Sequence, residues 1–140
     1  MNAPEAIAAV RTAITFATLP ALGAALDGGM FVGLTTDKQG LHFAVALLPD
    51  KPADDAELTW KKAMAWADSV GGVLPQRPVS ALLFANARNQ FERIWYWTAE
   101  EHESMGSYAW GQGFDYGYQN NYRKGLTCSA RAVRLIQLTA

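Results

Sequence analysis

Apolar residues recur along this chain with two different periods, and each change of period marks a change of element. Met30–Thr35 and Leu41–Leu48 are short apolar runs separated by a polar link, Asp37, Lys38, Gln39 and Gly40. Two such runs across a short link ending in glycine predict a β-hairpin, with Gly28 and Gly29 at its opening. Pro49 and Pro52 end the second strand, because proline donates nothing to a ladder. The period then lengthens. Trp60, Ala63, Met64, Ala67 and Val70 lie on one face of a helix, and Trp60 and Met64 are expected in the core. Asp54 with Glu57 three residues on predicts a capping box before this helix, and Gly71–Gly72 a left-handed stop after it. Leu74 to Pro78 reads as a tight extended link. Pro78 suits a helix start, and Val79, Leu82, Leu83 and Ala87 give a second amphipathic face.

From Ile94 onward the alternation is that of strands. Ile94–Thr98 places Trp95 and Trp97 on one side, both expected in the core, and Tyr96 on the other. Tyr108–Phe114 predicts a strand interrupted by Gly111 and Gly113, and residues 115–121 read as turn. Thr127–Leu138 predicts a closing strand, with Cys128, Ala130 and Ala132 on one face and Arg131, Val133 and Leu135 on the other. Arg131 and Arg134 are expected to pair with acidic loop residues such as Glu100 or Asp115. Ahead of all this, Pro4 stands at a plausible first helical position, with Ile7, Val10 and Ile14 at helical spacing. Residues 4–17 read either as a short amphipathic helix that packs on a partner or as an arm, closed by Pro20 and Gly23. The division expected is an arm over residues 1–22 and one domain over residues 23–140.

Composition narrows the class. At 140 residues the chain is long enough for one domain that buries roughly two-thirds of its unfolded surface. A net charge of −1, with the basic residues scattered, lacks the footprint of a nucleic-acid partner, and none is expected. Cys128 is the single cysteine, so no internal disulfide can form, and a buried spectator thiol is expected. The apolar run near the start is broken by Arg11 and preceded by Glu5, unlike a signal peptide. No apolar stretch reaches about 18 residues, so no membrane insertion is expected. The expected location is the cytoplasm that makes the chain, or a larger particle of which it is a part.

The chemistry concentrates between Trp95 and Tyr122. This stretch holds all five tyrosines, three of the five tryptophans and one phenylalanine, set among Gly, Asn, Gln and Ser. Tyrosine and tryptophan supply broad, stiff contact area, and the small polar residues supply adaptable hydrogen bonding, a mixture suited to recognition. The apolar face of a sugar stacks on such rings while amides take its hydroxyls. Trp110, Tyr116, Tyr118 and Tyr122, beside Gln112, Gln119, Asn120 and Asn121 and with Asp115, form the candidate ligand-binding set. No catalytic signature competes with it. His102 lies between Glu101 and Glu103 with no second histidine nearby, His42 being on the hairpin. Ser104 and Ser107 lack a nucleophile context, so no enzymatic activity, metal or cofactor is expected.

Several motifs fall in a characteristic order: Trp60-x2-Ala63-x2-Trp66-Ala67, Gly71-Gly72-x-Leu74-Pro75-x-Arg77, an apolar helix, Trp95-Tyr96-Trp97-Thr98, Ala109-Trp110-x-Gln112-x-Phe114, and Ala130-Arg131-Ala132-Val133-Arg134. Over residues 28–136 the chain resembles the Lcl C-terminal-type domain, a domain of unknown function found in bacteria, phages and prophages. The resemblance implies an α+β, C-type-lectin-like fold: two helices flanking a small twisted antiparallel sheet with long irregular loops. It also implies a non-enzymatic recognition or decoration module of a phage particle that contacts a glycan or protein. The founding domain is thought to bind glycosaminoglycan-like polysaccharide, and relatives build their ligand surface from the C-terminal loops and strands, here about Tyr108–Arg131. Such modules act as homo-oligomers or beside phage structural proteins. An intracellular phage accessory protein that inhibits a host factor is the alternative. The Glu-Pro-Asn and Trp-Asn-Asp calcium-ligand motifs of lectins do not occur here, and one cysteine excludes the paired-cysteine chemistry of the formylglycine-generating relatives.

Overall fold

The computed structural model describes residues 13–139. Residues 4–12 of the expected N-terminal helix therefore lie outside the described residues. The part within them is not helical: Ile14–Thr15 is a strand, β1, followed by a single 3-10 turn at Phe16–Thr18. The order continues with β2 (Ala25–Leu26), β3 (Gly29–Thr36), β4 (His42–Leu47), α1 (Trp60–Ser69), α2 (Arg77–Ala87), β5 (Trp95–Glu101), β6 (Tyr108–Gly113), β7 (Gln119–Arg123) and β8 (Val133–Thr139).

The fold is mixed α+β, with two helices and two sheets, one of the sheets curled into a half-barrel. Where one small sheet was expected, the strands divide into a five-stranded sheet, β1-β8-β4-β3-β2, and a three-stranded sheet, β5-β6-β7. The closing strand explains the division. It begins at Val133 rather than Thr127, because residues 127–132 make only isolated bridges, Leu58 to Cys128 and Tyr96 to Ser129. From Val133 it pairs antiparallel with the hairpin strand β4 and parallel with β1. The hairpin itself forms as its pattern predicts. Asp37 Oδ1 accepts the backbone N–H groups of Gln39 and Leu41 at 2.9 Å each and so shapes the turn.

Helix α1 begins later than the capping box implies. Asp54 sits in a short 3-10 turn over Ala53–Asp55 with φ 58°, and Glu57 accepts from Thr127 instead. The residue before the helix is Thr59, whose side chain caps nothing. Tertiary bonds fix the start: Trp60 N–H donates to the Lys124 carbonyl and Trp60 Nε1 to the Thr98 carbonyl. Ala63 and Ala67 are buried, Trp60 is half-buried, and Met64 is exposed, so the core face is narrower than its period suggested. Gly71 ends the helix at φ +79°, as expected. Helix α2 has proline in its first turn and buries Val79, Leu83 and Ala87.

Two apolar clusters lie on opposite sides of β5. Tyr96 points into one, with Val32, Val45, Leu47, Val79, Leu83, Phe91 and Phe114, so α2 joins the two sheets. Trp97, and Trp95 at its margin, point into the other with Leu48, Ala63, Ala67, Ala109, Cys128, Ala130 and Ala132. The alternation read from Ile94–Thr98 is therefore the division of the core. Trp97 is fully buried, and its Nε1 donates to the Leu58 carbonyl at 2.7 Å, which satisfies the polar edge of the ring.

Contrary to expectation, neither late arginine pairs with Glu100 or Asp115 among the described residues. Arg131 is buried and donates to the carbonyls of Gln90 and Leu48. Arg134 donates to the carbonyls of Gly71 and Asp27. Both tie chain segments together through backbone acceptors, work for which a planar fork of donors is well suited.

Candidate functional site

The expected ligand-binding set occupies β6, β7 and the turn between them. Register pairs Trp110 with Asn121, Gly111 with Asn120, and Gln112 with Gln119. Directly opposed residues share a face, so Trp110, Gln112, Gln119 and Asn121 lie on one face, while Asn120 and Tyr122 lie on the other. The set is thus divided between the two sides of the sheet.

The first face is tied down internally. Gln112 is only 1% exposed, and its amide donates to the carbonyls of Gly113 and Tyr118. Gln119 donates to Gln112 Oε1 at 2.9 Å and to the Arg77 carbonyl at 2.8 Å, and accepts from Arg77 Nε at 2.9 Å. The Arg77 guanidinium lies 3.6 Å from the centre of the Trp110 ring, a cation–π contact. His102 stacks on the same indole, with centroids 5.6 Å apart and 13° between the planes. Trp110 Nε1 donates to Glu103 Oε1 at 2.9 Å, and this hydrogen bond, chief among several causes, holds the Glu103 carboxyl below its ordinary range. Gln112 is therefore structural, and the Trp110 ring carries protein groups on its surface.

The turn is different. Tyr116 is 74% and Tyr118 70% exposed, and Asn120 beside them is exposed. The backbone between the rings is nonetheless held. Gly117 adopts φ +86°, and a β-carbon there would sit 2.6 Å from the Phe84 ring of α2. Only glycine allows the turn to lie this closely on the helix. Asp115 Oδ1 accepts the Tyr116 N–H at 2.7 Å, and Gly113 N–H donates to the Tyr118 carbonyl at 2.8 Å. The result is a fixed turn presenting two outward rings.

Tyr122 is half-buried, its ring edge-on to Trp95 at 5.2 Å, and burial pushes its hydroxyl pKa upward. It supports the sheet from behind rather than facing outward with the other two. Residues 119–121, read as the end of a turn, instead open β7, whose outer side is an edge of the sheet. Asn121 N–H is taken by Asn120 Oδ1 at 2.9 Å, which blunts that edge.

Residues outside the expected set build much of this region. Arg77, Glu100, His102 and Glu103 brace Trp110, and Phe84 seats the turn. Arg77 stood in a quoted motif, but nothing in its local sequence shows that it meets a tryptophan 33 positions later. The acidic run is likewise dispersed onto partners: Glu100 accepts Arg77 N–H at 2.7 Å, and Glu101 pairs with Lys124 at 2.5 Å. His102 Nδ1 accepts the N–H groups of Ser104 and Met105 and so organises its own loop. Among the described residues, no group of three or more His, Cys, Asp or Glu side chains comes together to hold a metal ion. No helix among them is long and apolar enough to cross a membrane. No protein-family model matches this chain, and no curated protein matches it either.

Proposed function

We propose that the protein is a non-enzymatic recognition module whose contact surface is the Tyr116–Tyr118 turn with Asn120. The single observation that carries this reading is two large, amphipathic rings held outward on a braced backbone. Exposed rings on a loose loop would lose rotamer and backbone freedom on binding. Here Gly117 on Phe84 and the Asp115 bond have already fixed the backbone. Rings with adjacent amide and carboxylate groups suit a glycan, whose apolar face stacks while its hydroxyls bond, and they suit a protein epitope for the same reason.

The C-type-lectin-like assignment, and a place on a phage or prophage particle, belong to this proposal. The order hairpin, helix, helix, strands and the motif series support them. Weak single sites of this kind gain from repetition, so a homo-oligomer or a particle surface is the fitting context. A glycan array probed with the wild type and with the double variant Tyr116→Ala, Tyr118→Ala tests the reading. Signal on a defined set of glycans that drops by at least about tenfold in the variant supports it. Signal that survives the double change removes the turn from the binding surface.

A further inference from the structure

A second site lies away from the tyrosine turn and stands independently of it. A cavity of about 180 Å³ opens between the segment after β4, the end of the 3-10 turn at Arg88–Gln90, and the chain before β8. Arg131, Tyr96 and Ser129 line it, and Asp55, Glu57, Glu92 and Lys51 stand around it. Arg131 is 5% exposed, yet no carboxylate lies within ion-pair distance of it among the described residues. A guanidinium carries five N–H donors. Two of them are spent on the Gln90 and Leu48 carbonyls, and Nε, sealed from solvent, has no acceptor. Beyond these carbonyls the cation has the Phe91 ring, 5.1 Å from Cζ, and the more distant charge of Asp50, and burial still outweighs them, holding its pKa below the ordinary value.

Two neighbours carry unspent donors as well. The Tyr96 hydroxyl accepts the Glu92 N–H at 3.0 Å, and its own proton has no acceptor among the described residues. Ser129 bonds Trp95 and Trp97 through its backbone alone, and its hydroxyl makes no hydrogen bond among the described residues. Nε is out of reach from the cavity, but each terminal nitrogen of Arg131 keeps a second N–H beyond its carbonyl bond, so the lining supplies charge-assisted N–H donors and two hydroxyl donors, a set that fits a carboxylate. The surroundings have the opposite sign: three exposed carboxylates, Asp55, Glu57 and Glu92, against one Lys51. A plain anion would be repelled there, whereas a molecule with a cationic group next to its carboxylate would be drawn by both. The volume is well below that of a drug-sized pocket, which restricts the ligand to a few heavy atoms.

We infer that this cavity binds a small zwitterion of α-amino-acid type, its carboxylate toward Arg131, Tyr96 and Ser129 and its ammonium toward Asp55 and Glu92. The test is a backbone-amide NMR titration of the full chain with alanine, and in parallel with acetate and with ethylamine, which each carry half of the charge pattern. Saturable shifts grouped at Glu92, Tyr96, Ser129 and Arg131 are expected with alanine, at least roughly tenfold tighter than with acetate. The paired change Asp55→Asn, Glu92→Gln touches only exposed side chains and leaves the core intact. It is expected to bring alanine down to the level of acetate, while Ser129→Ala weakens both. No saturable shift at tens of millimolar alanine overturns the inference. So does equal binding of alanine and acetate by the wild type, or alanine binding that the paired variant leaves unchanged. The glycan-array result bears on none of these outcomes.

Discussion

Gly117 decides where two tyrosines point. With φ +86° and a hypothetical β-carbon 2.6 Å from Phe84, the position combines a backbone demand with a steric one. Gly117→Ala is expected to destabilise the fold by about 1–3 kcal/mol, read from the urea midpoint, and to swing the turn off α2. Tyr116 and Tyr118 should behave in the opposite way. As exposed side chains they contribute little to folding, so replacing either by Ala should change stability by less than about 0.5 kcal/mol while removing binding. Gln112 was grouped with them in sequence because its neighbours are aromatic and polar, but the pleat turns it inward. A neutral amide is tolerated there because the Gly113 and Tyr118 carbonyls and the Gln119 amide complete its bonds.

At the scale of elements, helix periods were legible and helix starts were not. The apolar faces of α1 and α2 follow from spacing alone, since any helix must put positions three and four apart on one side. Their N-termini depend on groups remote in sequence. The first N–H groups of a helix need acceptors, and α2 obtains one from Glu100 on β5 rather than from a local cap. Glu100→Ala is expected to cost about 1 kcal/mol, the usual worth of an N-terminal acceptor, with the loss measured by chemical denaturation. Glu100→Gln, which keeps an acceptor but no charge, should recover part of it. The Asp54–Glu57 pattern misled because the segment is held away from the helix: Leu58 bridges Cys128, so the chain arrives at Trp60 extended. Trp97→Ala tests the β5 layer. It empties a fully buried position and removes one of the two hydrogen bonds to the Leu58 carbonyl, the Cys128 N–H keeping the other, a change expected to cost about 3–5 kcal/mol and to be read as a large drop in the thermal midpoint.

For the whole molecule, pH gives a sharp expectation. Burial, and secondarily the charge of Glu57, pushes the Cys128 thiol from 9.0 up to about 12. The unfolded thiol ionises first, so above pH 9 the unfolded state has lost a proton that the folded state keeps. Stability is then full below pH 9 and falls with rising pH, at up to about 1.4 kcal/mol per unit, until the folded thiol also ionises. Burial raises Tyr96 above its ordinary 10.0 in the same way, steepening the fall from there. Urea midpoints between pH 8 and pH 10 should drop for the wild type and drop less for Cys128→Ala. The thiol should also resist alkylation at pH 8 until the protein is denatured.

Taken alone, the sequence determined the hairpin, both helices, the opposed faces of Trp95–Thr98 and the concentration of aromatic residues near the C-terminus. Each of these is local: a periodicity, a turn residue or a run of side chains fixes it within a few positions. Only the tertiary structure decided that the strands divide into two sheets, that Arg131 and Arg134 serve carbonyls, and that Gln112 and Trp110 are held by the protein while Tyr116 and Tyr118 face outward. Pairing partners and buried polar bonds join residues tens of positions apart. Short-range pattern carries no information about which distant group will meet a given donor, and that meeting is what separates a bracing residue from a presented one.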